Sequence, residues 1–84
     1  MSTQSGVNLD SLIDNIARIA KFPKEEVKMD FRLYNSRVVS SLSMLEIMSF
    51  VEKEYGIVIL PEEMIEDNFG DIGKLKEMID RKLA

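Results

Sequence analysis

From Asn8 onward, Leu9, Leu12, Ile13, Ile16, Ile19 and Ala20 recur three and four residues apart, which predicts a helix with one apolar face. Asn8 is placed to cap it, and Pro23 stops the pattern near Phe22. The period then dissolves. Residues 23–39, "PKEEVKMDFRLYNSRVV", read as a long ordered loop anchored by Val27, Phe31, Leu33 and Val38. Loops of that length are uncommon in small domains and often carry function. A second helix begins around Ser40 or Ser41 and runs to about Tyr55, with Met44, Ile47, Met48, Val51 and Tyr55 forming its core-facing stripe. Gly56 is placed to end it in a left-handed conformation. "VIL" at 58–60 has strand character but no second strand to pair with. Pro61, followed by Glu62 and Glu63, opens a short helix. A last helix starts at Asp71 as cap and turns Ile72, Leu75, Ile79 and Leu83 inward. The pattern predicts an all-α fold, a small four-helix bundle of three longer helices and a short third one. Residues 1–7, small and polar, are expected as a flexible tail before a single domain over 8–84.

The composition narrows the chemistry. The 84 residues include no cysteine and no histidine, so no disulfide can form and the usual zinc, haem and iron–sulfur ligand sets are missing. Nucleophile–base pairs built on these residues are excluded too, and no enzymatic activity is expected. "DNFGDIGKLKE" at 67–77 has the look of a calcium loop, but lacks the alternating oxygen ligands and closing spacing of an EF-hand. No secretory signal and no membrane-length apolar run are evident, so a cytoplasmic monomer is expected, with no membrane partner. Residues 1–42 carry a net charge of +1 and residues 43–84 one of −5. An acidic half argues against nucleic acid, whose binding needs clustered Lys and Arg, and favours basic protein surfaces.

Three serines, Ser40, Ser41 and Ser43, crowd the start of the second helix. Serine there is a good N-cap, and Ser43 with Glu46 matches a capping box. The same place suits a covalently attached anion, because a helix N-terminus presents unpaired N–H groups and partial positive charge. Position alone leaves both readings open.

The wider pattern is more specific. Ser41–Leu42, Glu46–Ile47 and "VEKEYGI" at 51–57 resemble the acyl carrier protein family, whose hallmark is Asp-Ser-Leu at the start of helix II, then Glu-Leu, then an acidic stretch ending in Phe/Tyr-Gly-Ile. "ILPEEM" at 59–64 is similar to the family's short third helix, and "NFGDIGKLKEMI" at 68–79 to the opening of its fourth, so the resemblance spans about residues 8 to 83. It implies that Ser41 receives 4'-phosphopantetheine from coenzyme A through a phosphopantetheinyl transferase. The arm's thiol would hold acyl intermediates as thioesters for acyl-transferring or acyl-modifying enzymes of fatty-acid, lipid or polyketide-type biosynthesis. A chain without a thiol of its own would borrow one. The resemblance also implies a partner-reading face on the second helix, here Leu42, Glu46, Ser49 and Lys53, which lie on one line away from the core stripe. Three positions depart from the pattern: Ser40 and Ser43 where acidic residues are usual, and Lys53 where many carriers are acidic. They imply a specialised carrier with its own partners. The alternative is a small helical adaptor without a cofactor, in which Ser41 only caps a helix.

Overall fold

The computed structural model describes residues 8–84; the tail expected over 1–7 lies outside them. Helix α1 spans Leu9–Ala20, and the Asn8 side chain accepts a hydrogen bond from the Ser11 N–H, as its position predicts. It ends two residues before Phe22, because Lys21 takes a left-handed conformation (φ 58°) and returns its N–H to the carbonyls of Ala17 and Arg18. Leu12, Ile16 and Ala17 are its buried face.

The segment 21–40 is irregular but pinned. A 3₁₀ turn, Lys24–Glu26, follows Pro23. Farther on, the loop lies against the start of the last helix: Leu33 N–H donates to the Gly70 carbonyl (3.0 Å) and Gly73 N–H to that of Met29 (2.9 Å). Arg32 adds an ion pair to Glu66 at 2.8 Å. Val27 and Leu33 are buried as expected and Phe31 is half-buried. The expectation for Val38 is corrected: it is 39% exposed, and its neighbour Val39 enters the core at 5%. The Val38 N–H is held by Ser36 Oγ at 3.0 Å, which sets the loop's register one residue from that expected.

Helix α2, Ser41–Tyr55, buries Met44, Ile47 and Val51, leaves Met48 and Tyr55 half-buried, and ends at Gly56 with φ 65°. No partner strand forms for 58–60 among the described residues. Instead the Ile59 N–H donates to Glu52 Oε2 at 2.8 Å, and Ile59 is buried. The short third helix is divided. Pro61–Glu63 is a 3₁₀ turn, and a single-turn helix, α3, follows at Glu66–Phe69. Helix α4, Ile72–Leu83, is capped by Asp71, whose Oδ1 accepts from Lys74 N–H at 2.9 Å. Ile72, Leu75 and Ile79 are buried as expected, with Met78 beside them; Leu83, expected inside, is 38% exposed because the last turn runs past the core. The described residues thus form a small all-helical fold around one apolar core to which α1, α2 and α4 each contribute.

Two local features have measurable consequences. Gly70 links α3 to α4 with ordinary helical dihedrals. A Cβ there would lie 2.6 Å from the Glu66 carbonyl oxygen and equally close to a carboxylate oxygen of the same residue. Alanine at a compatible φ usually gains about 0.4–1 kcal/mol through the unfolded chain, whereas forced overlap costs typically about 1–3 kcal/mol. The overlap with backbone prevails. Gly70→Ala is expected to lower the urea midpoint, and an unchanged or raised midpoint would show that the α3–α4 joint can widen at no cost.

The Tyr55 hydroxyl is buried without a hydrogen-bond partner among the described residues, and burial, then the charges of Glu54 and Asp80, raise its pKa. Its ring meets Phe50 edge-on at 6.3 Å. Leaving a buried donor unmade costs about 1–3 kcal/mol. Tyr55→Phe keeps the ring contact and removes the hydroxyl, so it should raise the melting temperature; a lowered one would reveal a partner the hydroxyl needs.

Candidate functional site at the start of helix α2

The three serines take different parts. Ser40 is the N-cap: its backbone is extended (φ −73°, ψ 170°), its Oγ accepts from Ser43 N–H at 3.1 Å, and its carbonyl accepts from Met44 N–H at 2.9 Å. The hydroxyls of Ser40 and Ser43 also pair, at 3.2 Å. The Ser43–Glu46 capping box is therefore not formed; Ser43 lies inside the first turn, as the recipient of Ser40's cap. Ser41 is the first helical residue. It is exposed, and its hydroxyl makes no hydrogen bond among the described residues. One hydroxyl of the three is free.

That hydroxyl borders an open cleft of about 600 Å³ between the 33–40 loop, the first turn of α2 and Met64. Leu33, Val39 and Met44 supply an apolar floor, Tyr34 and Leu45 line its walls, and Asn35 and Ser36 bring polar groups. The lining thus mixes apolar and polar side chains. The methionines divide: Met44 and Met78 are buried, while Met48 and Met64 are half-buried. Unbranched thioether side chains at a cleft wall adapt to different shapes.

Leu42, Glu46, Ser49 and Lys53 are all exposed and follow one side of α2, opposite the stripe of Met44, Ile47 and Val51. Leu42, at 68% exposure, is the most exposed large apolar side chain described. Leu45, 60% exposed, belongs beside it, although it is not among the residues the sequence pattern singles out. Its signal was available: one residue on from Met44 it is rotated about 100° off the core stripe, so a leucine there has no core to enter. Glu52 is distinct from this face, because it holds the Ile59 N–H. Phe50 is half-buried against the core and Tyr55.

Charge around the site is uneven. Between Leu33 and Leu45 the only charged residue is Arg37, which is exposed and in no described ion pair. Glu63, near the far wall, faces away: its carboxylate accepts from the Leu60 N–H at 2.8 Å and pairs with Lys82 at 2.9 Å, contacts that in that order hold its pKa below the usual range. Among the described residues no cluster of acidic side chains is arranged to hold a metal, and no helix is long and apolar enough to cross a membrane. Compared with known proteins, the chain matches no family model, no curated protein and no solved structure.

Proposed function

We propose that this chain is an acyl carrier protein, with 4'-phosphopantetheine joined through a phosphodiester to Ser41 Oγ. The observation that carries the reading is the division among the serines: Ser40 and Ser43 satisfy each other and the helix cap, while the exposed Ser41 hydroxyl stays free at the first helical position. The helix N-terminus beside it favours the anion that modification would create. The apolar-floored cleft next to Ser41 is suited to an arm and its cargo. The protein would itself catalyse no step. Tethering raises the effective concentration of a bound intermediate at each enzyme that docks. Leu42, Glu46, Ser49 and Lys53 form the face those enzymes read, with Leu42 as apolar anchor and Glu46 as charged contact. The four-helix arrangement is of acyl-carrier type on this reading, and its place of work is the cytoplasm.

In vitro loading tests it. Incubated with coenzyme A and a phosphopantetheinyl transferase, the protein should gain the mass of one phosphopantetheinyl group. A chain recovered at its original mass with several transferases would favour the cofactor-free adaptor.

The neutral cap gives a second check. Aspartate caps helices as well as serine does, and its charge suits the N-terminus, so Ser40→Asp should keep the fold. It also restores the acidic residue that generalist transferases of the family read, so loading by such an enzyme should speed up, with a gain that shrinks as salt is added. Equal loading rates at low salt would remove residue 40 from transferase recognition.

A further inference from the structure

Residues 60–68 are held differently from the rest of the chain. None of their side chains is fully buried, although the residues at either end, Ile59 and Phe69, belong to the core. The backbone hydrogen bonds described for them stay within residues 60–70, in the 3₁₀ turn and α3. Pieces that short do not stand alone, because a first helical turn costs more order than its few hydrogen bonds return. Met64 gives the stretch an apolar contact with the core, and charged side chains from other elements tie it down. Lys82 pairs with Glu63 at 2.9 Å, Arg81 donates to Asn68 Oδ1 at 3.0 Å, and Arg32 pairs with Glu66 at 2.8 Å. The Lys82–Glu63 pair is the most sheltered among the described residues: its side chains are 24% and 27% exposed, against 32% or more in every other ion pair. Sheltered pairs are screened less by salt. Glu63 also accepts from the Leu60 N–H at 2.8 Å, so one carboxylate joins the start of the stretch to the last turn of α4. Met64 follows Glu63 directly and is the one residue of 60–68 that lines the cleft beside Ser41.

We infer that residues 60–68 are a strap along the cleft, and that Lys82 is a positioning residue that keeps the strap down through Glu63. With the pair made, Met64 walls the cleft. With it broken, the strap lifts between its two core-anchored ends and the cleft widens beside Ser41. Lys82 does not itself border the cleft, so the opening is set from the far end of α4. The inference rests on the carrier reading for the use of the cleft and deepens it by giving that site a control. Local openings of this kind lie at the low end of a protein's range of stabilities, where apolar burial is thin.

The test is native-state hydrogen exchange on the ¹⁵N-labelled full chain, with the methionine methyls labelled as well. In the parent, the amides of Glu63, Met64, Ile65 and Asn68, all bonded within the strap, should be far less protected than those of Ile47 and Val51 in the core. Lys82→Gln should speed the strap amides by a further two- to five-fold, roughly the worth of one ion pair, and Lys82→Arg should bring them back towards the parent. Lys82→Glu, which sets two carboxylates against each other, should make the Met64 methyl more accessible to a soluble nitroxide. The amide spectrum reports that each variant is folded. Strap amides as protected as Ile47 and Val51 would overturn the inference, because the strap would then open only when the whole protein unfolds. So would unchanged strap exchange in Lys82→Gln, a failure of Lys82→Arg to restore it, or a Met64 methyl that Lys82→Glu leaves as it was. Every readout is taken without the arm, so a chain that fails to load with coenzyme A would refute the carrier reading and leave the strap standing.

Discussion

Ile47→Asp is expected to abolish cooperative folding. Ile47 is fully buried on the inner side of α2, among the apolar residues that α1, α2 and α4 bring together. Removing the isoleucine side chain from the core forfeits about 1.5–3 kcal/mol of burial. Its carboxylate replacement must then either ionise without a partner or take up a proton, each at several kcal/mol more. A domain of this size holds only about 3–5 kcal/mol in total, so the loss exceeds what is available. The neighbouring Glu46→Lys provides the contrast, because Glu46 is exposed and exposed changes usually stay within about 0.5 kcal/mol. Circular-dichroism melts of the two variants should therefore diverge completely, with Glu46→Lys melting near the parent. If Ile47→Asp retained a cooperative melt near the parent's, α2 would not present its stripe inward as described.

The contrast between adjacent residues shows why so much of the fold was legible in the sequence. A helical period tells two neighbouring positions apart wherever it lasts several turns, as it does in α1, α2 and α4. The caps were legible for a different reason. Asn8, Gly56 and Asp71 act through their own side chain or their own φ, so nothing distant decides them. Where the period stops, the reading lost its register. Val38 and Val39 look alike in a loop without repeat, and the Ser36 hydroxyl, not hydropathy, settles which one turns inward. The segment after Pro61 divides into a 3₁₀ turn and α3 because distant groups grip it: Arg32 on Glu66, Lys82 on Glu63, and Arg81 on Asn68 at 3.0 Å.

Of the candidate site, the sequence made part of the geometry legible. Spacing selected the region and the outward line from Leu42 to Lys53, yet position alone could not say which serine caps. That depends on where the helix begins to within one residue, and neighbouring serines offer the same hydroxyl to the same N–H groups. Ser40 takes the cap because it is the last extended residue before α2.

Ser41→Ala should eliminate loading while leaving stability unchanged, and Ser40→Ala should lower stability while keeping loading. Ser41 is exposed, its hydroxyl has no partner among the described residues, and alanine is the better helix former at the position. Its loss should change stability by no more than about 0.5 kcal/mol, while removing the oxygen that would carry the phosphodiester. Ser40→Ala deletes the cap, at a cost of about 0.5–2 kcal/mol, but leaves Ser41 in place and should still gain the group. Unfolding midpoints and intact masses of the two variants give four readings, and the prediction requires them to cross. A Ser41→Ala chain that still gains mass would move the attachment elsewhere. A Ser40→Ala chain as stable as the parent would remove Ser40 from the cap, and with it the reason that Ser41 alone is free.

The most direct measurement is to locate the group on the loaded wild-type protein. Trypsin, cutting after Arg37 and Lys53, releases residues 38–53 as one peptide that contains Ser40, Ser41, Ser43 and Ser49. Tandem mass spectrometry of that peptide, after loading with coenzyme A and a phosphopantetheinyl transferase, should place a single phosphopantetheinyl group on Ser41. A group on Ser40, Ser43 or Ser49, or a peptide that stays unmodified, would contradict the assignment.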